Sequence, residues 1–265
     1  ALGGVKWTSA STVIVTVIQL LQIAVLAQIL VPSDFGLMAI VSVVIGLSTL
    51  FIDFGISASI IHKQDITHEQ LSSLYWLNVF SGFSLFFLVY LIAPFLADLY
   101  NEAELTSLIR LLSVTFIISG ISNQYGVLLQ KKLKFNLMAK INVTAVLLSF
   151  VVAVLFAKNG AGVYALIYAA LTGSIVTTFL NILSGIKSHR PSLTYCHQET
   201  RTFINFGLFQ MGERSINYFN LHFDVILIGK LLGTEALGIY SIAKTLSMKP
   251  AQIFNPIVTR IAFPI

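Results

Sequence analysis

Long apolar stretches dominate this chain and limit what it can fold into. Polar loops and turn residues divide the sequence into about eight stretches of roughly 20 to 27 residues, the length of helix that crosses a hydrocarbon core. We place them at 9–31, 35–61, 71–96, 105–129, 137–157, 162–186, 203–228 and 237–257. In lipid the backbone must satisfy its own hydrogen bonds, so each stretch is predicted to be a helix. The predicted fold class is an all-α polytopic membrane protein.

Composition agrees with this class and excludes several others. Only 10% of the residues are charged, against about 25% in soluble domains, and the mean hydropathy is +0.87. The single cysteine, Cys196, excludes a disulfide framework, and no Cys/His pairs have metal-ligand spacing. No phosphate loop, zincin motif or catalytic triad pattern occurs, so we expect no metal, no cofactor and no enzyme activity. We attribute the net charge of +5 to membrane topology and not to nucleic-acid binding.

The distribution of Lys and Arg predicts the orientation in the membrane, because basic residues concentrate on the cytoplasmic side. With a cytoplasmic N-terminus, nine basic residues lie in cytoplasmic segments and two in outer loops. The nine are Lys6, Lys63, Lys131, Lys132, Lys134, Lys140, Lys187, Arg190 and Arg201, and the two are Lys158 and Lys230. The basic turn 130–134 could also bind anionic membrane lipids, but we favour a role in fixing topology, because every polytopic protein needs such a loop. We therefore predict a multi-pass protein with a cytoplasmic N-terminus.

One internal similarity divides the chain into two units. Residues 29–40 (ILVPSDFGLMAI) align with 231–242 (LLGTEALGIYSI) at an offset of 202, with Gly36 matching Gly238. Six predicted spans separate the copies, so the units should run parallel in the membrane; the alternative is chance similarity between two apolar hairpins. We expect a six-helix lobe over 1–190, a cytoplasmic linker over 191–202, and the start of a second lobe over 203–265. That lobe contains two of six spans, as in a truncated product or part of a longer protein.

Several segments taken together resemble the Wzx-type polysaccharide exporters. They are GVKWT (4–8), PSDFGLMAI (32–40), FIDFGISASII (51–61), LSSLYWLN (71–78), LLQKKLKF (128–135) and LLGTEALGIY (231–240). More narrowly, they resemble the lipopolysaccharide or colanic acid export branch, in the superfamily that also contains MATE drug exporters and the lipid II flippase MurJ.

This resemblance implies a bacterial inner-membrane flippase that moves an undecaprenyl-pyrophosphate-linked oligosaccharide to the outer leaflet by alternating access. It also implies two six-helix lobes related by a twofold axis along the membrane normal. Association with polysaccharide polymerase and chain-length machinery is a further expectation.

Polar side chains inside the predicted spans mark the candidate site. Each ionisable group in a span costs about 2.5–3.5 kcal/mol by insertion scales, so each suggests a function. The seventh stretch has one helix face with Glu213, Asn217, Asn220 and Asp224, and an adjoining stripe with Arg214, Tyr218 and His222. The first has Thr8, Thr12, Thr16, Gln19 and Gln22, and the second has Ser42, Gly46, Thr49, Asp53 and Ser57. Such faces must line water or pair within the bundle.

A diphosphate requires cations, and sugars require hydroxyl and amide partners. The cations at mid-depth are Arg214 and Lys244, with Lys249 nearer the inner face. We expect Arg214 and Lys244 to hold the pyrophosphate, with Glu213, Asn217, Tyr218, Asp224, Gln19 and Gln22 completing the substrate site. The alternative for Arg214 is neutralisation by Glu213 or Asp224, whereas Lys244 has no carboxylate within one turn of its own helix.

Three residues are candidates for coupling transport to an ion or a proton. They are Asp53, Glu213 and His222. For Asp53 the alternative is a helix-to-helix hydrogen bond.

Three other function classes remain open. A MATE-like exporter of cationic drugs predicts an acidic cleft, whereas these spans carry both signs of charge. A membrane-embedded polysaccharide polymerase or ligase predicts a large outer loop with Arg, His or carboxylates, and the predicted outer loops are short. A membrane scaffold without transport would leave the charges of the seventh stretch without a purpose.

Overall fold

A computed structural model shows a helical chain with short turns. It describes the backbone of 2–52, 60, 66–186, 190–192 and 197–262, and the side chains of 6–52, 60, 66–186, 190–192 and 212–250. The helices are α1 (Leu2–Leu26), α2 (Pro32–Thr49), α3 (His68–Tyr100), α4 (Glu104–Lys131), α5 (Phe135–Lys158), α6 (Tyr164–Gly185) and α7 (His197–Ala262). No strand occurs in these ranges.

Helix α7 contains the last two predicted stretches. The backbone leaves the helical region at Gly233, with φ 83° and ψ 177°, a conformation that glycine adopts without steric strain. We call the segments on either side α7a (197–232) and α7b (234–262). Asp224 of α7a contacts Lys244 of α7b, so the two segments fold back on each other as a hairpin.

Seven helices in the described part of the chain are long and apolar enough to cross a membrane. This finding confirms the prediction of an all-α polytopic membrane protein. The seventh, Gly212–Pro250, contains parts of both α7a and α7b. The eight predicted stretches become seven helices because the last two join at Gly233 without an intervening loop.

Helix α2 is shorter than the predicted stretch 35–61. It ends at Thr49, and a turn follows through residue 52. The Ser48 hydroxyl donates to the carbonyl four residues earlier at 2.8 Å, and the Thr49 hydroxyl donates to the Gly46 carbonyl at 2.6 Å. Hydroxyls that bond to the preceding turn bend helices and compete with the helical pattern. Asp53 and Ser57 lie outside the described residues.

Side-chain caps fix where two helices begin. The Gln70 backbone N–H donates to the Thr67 hydroxyl, and the Thr67 backbone N–H donates to Gln70 Oε1, both at 3.2 Å. These two bonds form a capping box at the start of α3. At the start of α2, Asp34 Oδ2 accepts from the Val31 N–H at 3.3 Å. The carboxylate of Asp34 therefore lies at the positive end of the α2 dipole, next to Pro32.

The helices contact one another in an order that differs from their order in the chain. Helix α1 packs on α5, α5 on α6, α6 on α4, and α4 on α3. Helix α2 contacts α4 and has its most extensive contact with α7. The largest hydrophobic cluster includes Leu37 and Ile40 of α2, Phe116 of α4 and Val225 and Leu237 of α7. Helix α2 therefore connects the bundle of the first six helices to the α7 hairpin.

The two segments that align at an offset of 202 residues contact each other reciprocally. A Cβ built on Gly36 would overlap the Thr234 carbonyl group, and one built on Gly238 would overlap the Pro32 carbonyl group. Gly36 and Gly238 are equivalent in the alignment, and so are Pro32 and Thr234. We call this set of four residues the glycine contact. Reciprocal pairing of this kind is expected where a twofold axis relates two similar units.

Polar bonds support the glycine contact at the same end of the bundle. The Thr234 hydroxyl donates to Glu102 Oε1 at 2.9 Å, and Lys230 Nζ donates to the Leu99 carbonyl. The turn between α7a and α7b is thereby attached to the turn between α3 and α4. This end of the α7 hairpin is closed against the rest of the chain.

Candidate functional site

A cavity of about 490 Å³ lies between α1, α2 and the α7 hairpin. We call it the central cavity. Its polar lining residues are Gln19, Gln22, Ser42, His222, Ser241, Lys244, Thr245 and Lys249. The cavity has the size of a small-molecule site and combines an apolar wall with a few polar groups. Four of the predicted site residues, Gln19, Gln22, His222 and Lys244, are brought together here.

Lys244 and Asp224 form an ion pair across the α7 hairpin. Lys244 Nζ lies 2.7 Å from Oδ1 and 2.6 Å from Oδ2 of Asp224, and it also donates to the Leu221 carbonyl at 2.7 Å. The Lys244 side chain is 15% exposed, against 35% for Asp224. The sequence did not reveal this partner, because Asp224 belongs to the preceding helix and lies 20 residues away.

Asp224 accepts hydrogen bonds from two other donors. The Tyr240 hydroxyl donates to Oδ2, and the Val225 backbone N–H donates to Oδ1 at 2.8 Å. Charge-assisted bonds of this kind are stronger than neutral ones. The carboxylate therefore keeps two donors even when Lys244 turns toward a ligand in the cavity.

Lys249 connects α7b to α1. Its Nζ donates to Gln19 Oε1 at 2.5 Å. The partner is an uncharged amide, so no carboxylate in the described part of the chain neutralises this ammonium group within ion-pair distance. Lys249 is the cation of the central cavity with the least compensation.

Tyr218 of α7a forms hydrogen bonds with the backbone of α2. Its hydroxyl donates to the backbone carbonyls of Ser42 at 3.4 Å and Val43 at 3.2 Å. Its ring lies against the His222 imidazole, with centroids 4.2 Å apart. Tyr218 thus positions His222, which lines the cavity. The Tyr218 hydroxyl thus bonds to backbone carbonyls of α2, and Tyr218 does not line the central cavity.

Five of the described predicted site residues do not line the central cavity: Tyr218 and Asp224, which bond to residues around it, and three others. Glu213, Arg214 and Asn217 are exposed and are not among its lining residues. Arg214 forms no ion pair with another described residue, and Asp224 is already paired with Lys244. The alternative of local neutralisation of Arg214 by Asp224 is therefore not what the structure shows.

The sequence analysis did not include Lys249 among the predicted site residues, and the structure places it in the wall of the central cavity. The signal was present in the spacing of Ser241, Thr245 and Lys249, which are four residues apart and share one face of α7b. All three line the central cavity. The sequence analysis considered only the depth of Lys249 in the membrane. It did not predict that the helix face with Ser241, Thr245 and Lys249 lies opposite α1.

Comparison with known proteins identifies the family of the chain. Residues 25–265 match the family described as "Polysaccharide biosynthesis protein". The chain is 36% identical to the teichuronic acid biosynthesis protein TuaB of Bacillus subtilis (strain 168), with 100% of the chain and 55% of that protein aligned. It is 34% identical to the lipopolysaccharide biosynthesis protein WzxC of Escherichia coli (strain K12), with 99% of the chain and 54% of that protein aligned.

The name of a more distant relative refers to transport. The succinoglycan biosynthesis transport protein ExoT of Rhizobium meliloti (strain 1021) is 23% identical, with 98% of the chain and 52% of that protein aligned. The chain spans about half the length of these curated relatives. No solved structure gives a significant match. The family match over most of the chain, the names of these relatives and the apolar helices confirm the resemblance to Wzx-type exporters, and the chain belongs to the polysaccharide biosynthesis protein family.

Proposed function

We propose that the full-length protein moves an undecaprenyl-diphosphate-linked oligosaccharide across the bacterial inner membrane. Transport proceeds by alternating access and without covalent chemistry. The observation that carries the proposal is the central cavity, which places Lys244 and Lys249 inside a bundle of membrane-spanning helices. The names of the relatives, which refer to polysaccharide synthesis and transport, support the same conclusion.

The charges of the central cavity favour an anionic ligand. Lys244 is balanced by Asp224, whereas Lys249 has only the Gln19 amide, so these groups leave one positive charge. A buried charge without a partner is unfavourable, and a diphosphate compensates it while gaining charge-assisted hydrogen bonds. Because Asp224 retains the Tyr240 and Val225 donors, Lys244 can also turn toward the phosphates.

The same arrangement disfavours an exporter of cationic drugs. Such an exporter needs a free carboxylate in the cleft, and the carboxylate of Asp224 is paired with Lys244.

Arg214 stays a proposed further cation for the diphosphate. Glu213, His222 and Asp53 remain candidates for ion or proton coupling, and of these His222 lines the central cavity. Polymerase and chain-length machinery remain the proposed partners.

Replacing Lys249 by Gln tests the anionic ligand directly. The substitution removes the cation but keeps an amide that can bond to Gln19. We expect the affinity for undecaprenyl diphosphate to fall about 10- to 100-fold, because a hydrogen bond to a charged group is lost. The measurement is a binding titration on the full-length protein in lipid nanodiscs.

Lys158→Gln is the matched control for this titration. Lys158 is exposed at the end of α5, and its replacement should leave the affinity unchanged. Equal affinities for the Lys249→Gln variant and the unmodified protein would remove Lys249 from the phosphate site.

A second prediction concerns the topology of the proposed inner-membrane protein. Lys132 and Glu102 lie at opposite ends of α4, and the distribution of basic residues places Lys132 in the cytoplasm. Reporter fusions at Lys132 should therefore be active as cytoplasmic markers, and fusions at Glu102 as periplasmic markers. A periplasmic signal from the Lys132 fusion contradicts the proposed orientation of the whole chain.

A further inference from the structure

A second cavity, of about 430 Å³, lies between α1, α5 and α6. We call it the α1 chamber. Seven of its eleven lining residues are polar, and none is charged. They include Thr12, Thr16, Gln19, Asn142, Ser149 and Thr177. An uncharged polar cavity of this size among membrane-spanning helices calls for an explanation, because polar groups in lipid are normally paired between helices.

The hydroxyls of the α1 chamber do not join the helices to one another. Ser11 and Thr12 both donate to the Thr8 carbonyl of their own helix at 2.9 Å. Gln19 bonds to Lys249 of α7b. Within the described residues, the other polar lining side chains form no hydrogen bond to a neighbouring helix. Their remaining donors and acceptors are therefore available to the contents of the cavity.

The side chains that line the α1 chamber indicate which class of ligand it can bind. A phosphate group needs cations, and the α1 chamber has none. Hydroxyl and carboxamide groups both donate and accept, which matches the hydroxyl groups of a neutral sugar. An acyl chain is disfavoured because it would leave these polar groups without partners.

The α1 chamber adjoins the central cavity at Gln19. This residue lines both cavities, and its amide oxygen is held by Lys249. The α1 chamber follows α1 from residue 11 to Gln19, and the central cavity follows it from Gln19 to Leu26. A ligand with phosphates at Lys249 can therefore extend a neutral group past Gln19 into the α1 chamber.

We propose that the α1 chamber is a sugar subsite, which binds an uncharged hexose of the lipid-linked oligosaccharide while Lys249 and Lys244 hold its diphosphate. This assignment rests on the proposed function and adds where the glycan lies. It separates recognition of the carrier, by cations on α7b, from recognition of the sugar, by hydroxyls and amides on α1, α5 and α6.

The test compares two probes on the same preparation of full-length protein in nanodiscs. The probes are undecaprenyl diphosphate and undecaprenyl diphosphate that carries one hexose. The variant Thr16→Val/Ser149→Ala removes two hydroxyls with little change in volume, and Asn142→Leu/Thr177→Val removes polar groups from α5 and α6 independently. We expect the hexose-bearing probe to lose about tenfold in affinity in each variant, while the affinity for the hexose-free probe stays within twofold.

The ratio of the two affinities is the deciding quantity, because partial loss of folded protein affects both probes equally. Thr144→Val, at an exposed position of α5 outside the α1 chamber, is the control and should leave the ratio unchanged. An unchanged ratio in both chamber variants overturns the sugar subsite, while binding of the hexose-free probe still supports the proposed function. Failure of the unmodified protein to bind either probe overturns the proposed function itself.

Discussion

The double variant Lys244→Met/Asp224→Asn is expected to be as abundant as the unmodified protein and to export no polysaccharide. Removing both charges leaves no buried ion without a partner, and a neutral pair is often as stable as the ion pair that it replaces. Asn at position 224 can still accept from the Val225 N–H through its amide oxygen, and its amide N–H can donate to the Tyr240 hydroxyl oxygen. If Lys244 binds the diphosphate, export is lost although the fold is intact.

The single variants should behave differently from the double variant. Lys244→Met leaves the Asp224 carboxylate, which is 35% exposed and keeps its Tyr240 and Val225 donors, without its counter-ion. The loss of a hydrogen bond to a charged group costs about 1.5–3 kcal/mol. The amount of protein in the membrane should therefore fall. The measurements are immunoblotting for abundance and complementation of polysaccharide export in a strain that lacks the gene. Normal export by the double variant would falsify a role for Lys244 in substrate binding.

Substituting Ala at Gly36 is expected to hold the closed end of the bundle open. The added Cβ overlaps the backbone carbonyl of Thr234, which cannot rotate away as a side chain could. Overpacking of this kind costs about 1–3 kcal/mol, and the helices can avoid it by separating at the glycine contact. Gly238→Ala should give the same result, because its Cβ overlaps the equivalent carbonyl of Pro32.

Accessibility of the central cavity measures this opening. With Cys196 and every other cysteine of the full-length protein replaced by Ser, Thr245→Cys places one thiol in the cavity wall. A membrane-impermeant maleimide added from the periplasmic side should label that thiol faster in the Gly36→Ala variant, and export should be reduced. Gly212→Ala is the control, since nothing lies within 4 Å of a Cβ at that position. Unchanged labelling together with normal export shows that the glycine contact does not close the bundle.

Hydropathy alone predicts most of the helices, because a segment in lipid must be helical and about 20 residues long. The stretch 105–129 corresponds to α4, and 137–157 corresponds to α5, each within two residues at both ends. The predicted end of α2 was wrong, because hydropathy does not register a turn that lies within an apolar stretch. The break at Gly233 lies in the gap between the predicted stretches 203–228 and 237–257.

The candidate site was harder to predict than the helices. Helical periodicity groups residues on one helix, so it found the stripe that contains Tyr218 and His222. It does not show which faces of different helices meet, and this is why the Lys244–Asp224 pair and the Lys249–Gln19 contact emerge only from the structure. The same limit explains Arg214, whose residue type suggested a phosphate site although its position is outside the cavity.

The glycine contact has a consequence for the ancestry of the fold. A protein with one copy of the repeat could have made the same contact as a symmetric homodimer, since each copy would supply both the glycine and the carbonyl that faces it. Two copies within a single chain need not stay identical. Pro32 and Thr234 both begin a helical segment, but proline has no hydrogen-bond donor, whereas the Thr234 hydroxyl donates to Glu102. A symmetric homodimer loses equivalent bonds on both sides when it opens, whereas this chain loses the Thr234–Glu102 and Lys230–Leu99 bonds on the α7 side, so its two copies resist separation unequally.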